Sequence, residues 1–108
     1  MRKVIYLLIM AGLFFSCLGC ENIQSSLWQI EADIFYNQGQ FKKSIEFYQK
    51  LIRLNPLNAD YYWHLGLAYY SDNQKSKVKT QIGRLEALGR EDLANDLQQL
   101  LGSQQDSQ

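Results

Sequence analysis

A chain of 108 residues has room for one domain, and its seven Tyr, five Phe and two Trp supply enough large apolar side chains to fill a core. Eleven basic residues balance eleven acidic ones, which excludes a polyanion-binding surface by composition, and with it nucleic acid as a partner. A single proline in a chain rich in Leu, Gln, Lys, Glu and Tyr favours helix over sheet, so the expected class is all-α.

Residues 1–16 read as an export signal, with Arg2 and Lys3 as a basic start and Val4 to Phe15 as an uncharged, mostly apolar run. At about 12 residues the run fits a signal core and falls short of the roughly 20 that span a hydrocarbon layer. Counted on to Gly19 it is borderline, which leaves an uncleaved anchor open. Both cysteines follow directly, as Cys17-Leu18-Gly19-Cys20. Leu13-Phe14-Phe15-Ser16-Cys17 resembles the lipobox of bacterial lipoproteins, whose cysteine is diacylated and becomes the mature N-terminus. That resemblance implies lipidation at Cys17, with Cys20 as the second choice, and an exported chain held on a membrane, facing the periplasm or the cell exterior. The alternatives are an ordinary signal, cleaved or retained, and a redox or metal Cys-x-x-Cys, for which further ligands are wanting because His64 is the only histidine. Residues 17–25 then form the lipidated N-terminus and a polar tether.

Sliding the chain against itself brings out a period of 34: Trp28 falls on Tyr62, Ala32 on Gly66, Phe35 on Tyr69, Tyr48 on Ile82 and Leu51 on Leu85. Large positions meet large and small meet small. Tyr62-x-x-Leu65-Gly66-x-x-Tyr69, with Gly39, Phe41, Ile45, Tyr48 and Pro56 in the first copy, resembles the tetratricopeptide repeat. Two helix-turn-helix hairpins are implied, over about 25–58 and 59–88, within a repeat region of 26–88. The coarse helices run 26–38, 42–54, 59–71 and 75–88. Gly39 suits the positive φ that ends a helix, and Pro56 cannot continue one. The small Ala32 or Gly66 lets the paired helix approach closely. The second hairpin departs further from the pattern, with Asn73 for the turn glycine and Arg90 for the closing proline, yet Val78, Ile82 and Leu85 keep a helical stripe.

After Gly89, acidic residues precede Leu93, Ala94, Leu97, Leu100 and Leu101 on one stripe. This predicts a capping helix over 89–101, because a repeat stack needs its open end covered. Residues 102–108 are expected to be a disordered tail, most of it without apolar side chains.

The predicted domain has no glycine-rich phosphate loop, no thiol, and no paired carboxylates on adjacent helical turns with a histidine nearby, so an enzyme is not expected, and no cofactor or metal either. His64, between Trp63 and Leu65, reads as structural or surface. Helix 59–71 carries two apolar stripes: Tyr62, Leu65 and Tyr69 on one, Trp63, Leu67 and Tyr70 on the other. The resemblance places the second stripe, with Gln29, Asp33 and Tyr36, in the concave groove that receives peptide segments in tetratricopeptide proteins. It implies an adaptor of the cell envelope that binds another protein. A homo-oligomer paired through the Trp63 face, burial of that face by the capping helix, and an accessory subunit of an envelope complex are the competing readings.

Overall fold

The computed structural model describes residues 23–106 and consists, over that span, of five helices packed in sequence. Helix α1 covers residues 23–37, α2 Phe41–Leu54, α3 Ala59–Ser71, α4 Lys75–Ala87 and α5 Glu91–Asp106. The expected all-α architecture of two hairpins and a capping helix is the one observed. The export signal and both cysteines lie outside the described residues, as do Ser107 and Gln108.

One turn chemistry recurs at three helix ends. After α1, α3 and α4 a residue takes a left-handed φ: Gly39 at 77°, Asn73 at 60° and Gly89 at 77°. The amide that follows reaches back over five residues: Gln40 N–H to Phe35 O at 2.8 Å, Gln74 N–H to Tyr69 O at 2.8 Å and Arg90 N–H to Leu85 O at 2.9 Å. This is the Schellman arrangement, which satisfies carbonyls that a helix end would otherwise orphan. The α2–α3 connection is built differently. Asn58 caps α3 by accepting from the Asp60 N–H at 3.1 Å, and the Tyr62 hydroxyl donates to the Pro56 carbonyl at 2.8 Å.

The core runs along the stack. Ala32 from α1, Ile45, Tyr48 and Leu51 from α2, Tyr62, Leu65 and Tyr69 from α3, Val78, Ile82 and Leu85 from α4, and Ala94 and Leu97 from α5 are all buried. Phe35 stacks on Phe47 with 5.5 Å between ring centroids and Tyr36 meets Phe41 edge-on at 5.4 Å, tying α1 to α2. Helix α5 packs on α4 and returns against α3. Gly66 is where that return is tightest: a Cβ there would stand 2.5 Å from Leu97 Cδ1. The glycine therefore admits the capping helix rather than the paired helix of its own hairpin.

Three boundaries differ from the sequence reading. Ile23 to Ser25, which the sequence reading gives to the polar tether, already belong to α1, because Ile23 and Leu27 continue its helical spacing. Helix α5 begins at Glu91 rather than at 89 and continues to Asp106, five residues beyond Leu101, so most of the expected disordered tail is helix. Once Leu97 and Leu101 anchor a helix, each further residue adds one hydrogen bond without a new nucleation cost, which lets polar Ser and Gln follow. Helix α1 also carries an outer stripe that was not anticipated: Ile23, Leu27, Ile30 and Ile34 are about half exposed, at 48–65%.

Candidate functional site

Helices α1 and α3 are the first helices of successive repeats, so they lie side by side and present matched positions to one hollow. The hollow has a volume of about 250 Å³ and is lined by Asp33, Tyr36 and Asn37 of α1, Tyr48 of α2, and Trp63, His64 and Leu67 of α3. Four of the six residues expected in the groove, Asp33, Tyr36, Trp63 and Leu67, meet there. Gln29 and Tyr70 are not among its lining residues. The groove is skewed, drawing on the later turns of α1 and the earlier turns of α3; Tyr70, like Trp63 and Leu67, is partly buried against the core.

Two hydrogen-bonded struts frame the groove. At one end the Tyr36 and Ser71 hydroxyls lie 3.1 Å apart, joining the last turns of α1 and α3. At the other, Trp63 Nε1 donates to Asp96 Oδ2 of α5 at 2.8 Å. The capping helix therefore holds the indole by its N–H edge without burying it fully: Trp63 is partly buried against the core. The second stripe of α3 is thus partly covered from within the chain.

On the floor, the Tyr48 hydroxyl donates to Asp33 Oδ1. The Tyr48 ring is 2% exposed, and burial, followed by the adjoining Asp33 carboxylate, pushes its ionisation well above the ordinary range. The phenol therefore stays protonated and remains a donor. His64 stacks on Tyr48 at 5.3 Å with planes 10° apart and meets Trp63 edge-on at 4.8 Å. Burial lowers the pKa of His64, with the Asp33 and Asp60 carboxylates opposing in part, so the imidazole is neutral at pH 7.

Tyr48 and His64 were not anticipated as groove residues. The repeat pattern places Tyr48 in the core, and its ring is indeed buried; only its hydroxyl reaches Asp33. His64 has no apolar-stripe signal because it sits between the two stripes of α3. Among the described residues, no group of three His, Cys, Asp or Glu side chains is placed to hold a metal ion, and no helix is long and apolar enough to cross a membrane.

A second, wider hollow of about 550 Å³ lies on the α2–α4 side, bordered by Gln49, Arg53, Tyr62, Tyr69, Thr80 and Arg84 among others. It lacks a comparable framework: among the described residues, its one hydrogen bond between these side chains is Gln49 Nε2 to the Tyr69 hydroxyl at 2.9 Å. The first groove, with aromatic walls from three helices and polar groups fixed by Tyr48, Asp33 and Asp96, is the better-organised recognition surface.

The family model for the TPR repeat matches residues 32–73, which take in the end of α1, all of α2 and all of α3. The match falls on the elements that enclose the groove. A comparison with curated proteins returns no match for the chain. The repeat is a helical module whose usual role is protein–protein interaction rather than catalysis.

Proposed function

We propose that this chain, which carries a TPR repeat over residues 32–73, is a membrane-anchored scaffold of the cell envelope that holds a segment of another protein in the groove between α1 and α3. The observation that supports it is the groove itself: a hollow with Tyr36, Tyr48, Trp63 and Leu67 on its walls, whose polar groups are held in place by hydrogen bonds to neighbouring helices. Rigid aromatic anchors lose little conformational freedom on binding, which is why such residues dominate interface energetics.

The anchor is assigned to a lipid on Cys17, from the position of that thiol directly after the apolar run. Each buried methylene of an acyl chain contributes about 0.8 kcal/mol, so a diacylated cysteine with a further amide-linked chain holds stably. Fatty-acid labelling should be lost in Cys17→Ser and kept in Cys20→Ser. The reverse pattern moves the anchor to Cys20, and labelling of neither cysteine ends the lipoprotein reading.

Binding is tested by a photo-crosslinking amino acid placed at Leu67 in the groove and, as a control, at Thr80 on the α2–α4 side. In cells, Leu67 should capture a distinct polypeptide and Thr80 should not. Adducts at Leu67 that contain only copies of this chain would support the homo-oligomer in place of the scaffold, and equal capture at both positions would remove the groove from the account.

A further inference from the structure

The chain covers several of its own aromatic faces with lysine. Lys43 Nζ lies 5.3 Å from the Phe35 centroid, Lys50 Nζ 4.7 Å from Phe47 and 5.7 Å from Trp28, and Lys77 Nζ 5.4 Å from Tyr69. Each is within the roughly 6 Å over which a cation is attracted to a ring face. The groove is different. Among the described residues, no lysine or arginine lies over Tyr36, Tyr48 or Trp63, and none lines the hollow.

Asp33 is the one carboxylate in the groove's lining, and Tyr48 engages one of its two oxygens. Asp96 stands at the rim on the Trp63 indole; Asp60, outside the lining, is near enough to act on His64 and is itself within reach of Arg90. Burial lowers the pKa of His64, which disfavours a positive charge on it. An acidic segment would meet the Asp33 carboxylate with no lysine or arginine in the lining to receive it, at the cost of like-charge repulsion. The volume of about 250 Å³ lies below the roughly 300–1,000 Å³ of small-molecule pockets and suits a single long side chain.

We propose that the groove is a cage for a cationic side chain, the arginine or lysine of a basic segment in a partner protein, with Trp63 and Tyr36 as walls and Asp33 as counter-ion. This rests on the scaffold reading and names the chemistry of the segment that the groove accepts. The apolar stem of such a side chain lies along Leu67, its charged head meets ring faces and the Asp33 carboxylate, and Tyr48 fixes that carboxylate in position.

The test uses the full chain and short acetylated, amidated peptides, Ala-Gly-X-Gly-Ala, with X as Arg, Lys, citrulline or Glu, followed by the NMR shift of the Trp63 indole N–H. The Arg and Lys peptides should shift that resonance at concentrations at least about tenfold lower than the citrulline peptide, and the Glu peptide should not shift it. Asp33→Asn keeps an acceptor for the Tyr48 hydroxyl while removing the charge. It should weaken the Arg peptide by about tenfold, leave the melting curve in place, and abolish the preference over citrulline. Equal shifts with Arg, citrulline and Glu, or no shift with any of them, would overturn the cage. If the cage fails while Leu67 still captures a foreign polypeptide in cells, the scaffold stands without it; if Leu67 captures nothing, the scaffold fails as well.

Discussion

Two glycines inside helices should respond oppositely to the same substitution. Alanine is favoured over glycine in a helix by about 1 kcal/mol, and at Gly83, in α4, an added Cβ meets nothing within 4 Å. Gly83→Ala is therefore expected to stabilise by about that amount. At Gly66 the same gain is offset, because the new methyl would lie 2.5 Å from Leu97 Cδ1 and 3.1 Å from Cδ2, and Leu97 is wholly buried with little room to turn aside. Overpacking of this kind costs about 1–3 kcal/mol, leaving a net loss of about 0–2 kcal/mol and a gap of about 1–3 kcal/mol between the variants. For a domain of this size each kcal/mol moves the melting temperature by about 4–8 °C, well within reach of thermal melts followed by circular dichroism. Leu97→Ala in the Gly66→Ala background should also cost less than Leu97→Ala alone, because the cavity receives the new methyl. If Gly66→Ala raised the melting temperature as much as Gly83→Ala, α5 would not pack on α3 in the way described.

Other consequences follow from burial and charge. Tyr69→Ala should lose about 3 kcal/mol or more by opening a cavity in the core, whereas Trp63→Ala, at a partly buried site, should cost less in stability and more in partner capture; both are read by melting and by Leu67 crosslinking yield. Leu97→Asp places an unpaired carboxylate at a site with 0% exposure, and the penalty of several kcal/mol should leave the chain largely unfolded by circular dichroism. Because His64 is held below its ordinary 6.5, the unfolded chain takes up that proton first. The stability tied to neutral His64 is complete above that value and declines as pH falls through it, levelling off once the pH is below the folded value. Denaturant midpoints against pH should show that slope, and His64→Gln should lack it.

Helices were legible because a 3.6-residue period survives substitution at individual positions. The spans read for α2, α3 and α4 agree with the observed ones to within a residue, even though Asn73 stands in place of the turn glycine before α4. The outer ends were less legible: α1 and α5 extend past their last repeat-pattern residues because helix propagation is nearly free once a helix is packed. Pattern also told which residues face inward, but not what a long side chain does at its tip. Tyr48 was readable as core and unreadable as the donor to Asp33, and Trp63 gave no hint of Asp96, which lies 33 residues away. On sequence, Gln29 is placed by its resemblance to the repeat's groove positions and Tyr70 by its spacing on the second stripe of α3. The skew between α1 and α3 removes both from the hollow.

The claim that the α1–α3 groove receives a partner segment is tested most directly by the polypeptide captured from Leu67. Its affinity for the full chain can be measured by calorimetry with Leu67→Glu, which spoils the groove, and with Arg84→Glu, which alters the α2–α4 side by the same residue type. Leu67→Glu should weaken binding by about tenfold or more with the helical signal intact, while Arg84→Glu should leave it within about twofold. Equal losses from the two substitutions, or a loss confined to Arg84→Glu, would place the partner elsewhere on the stack.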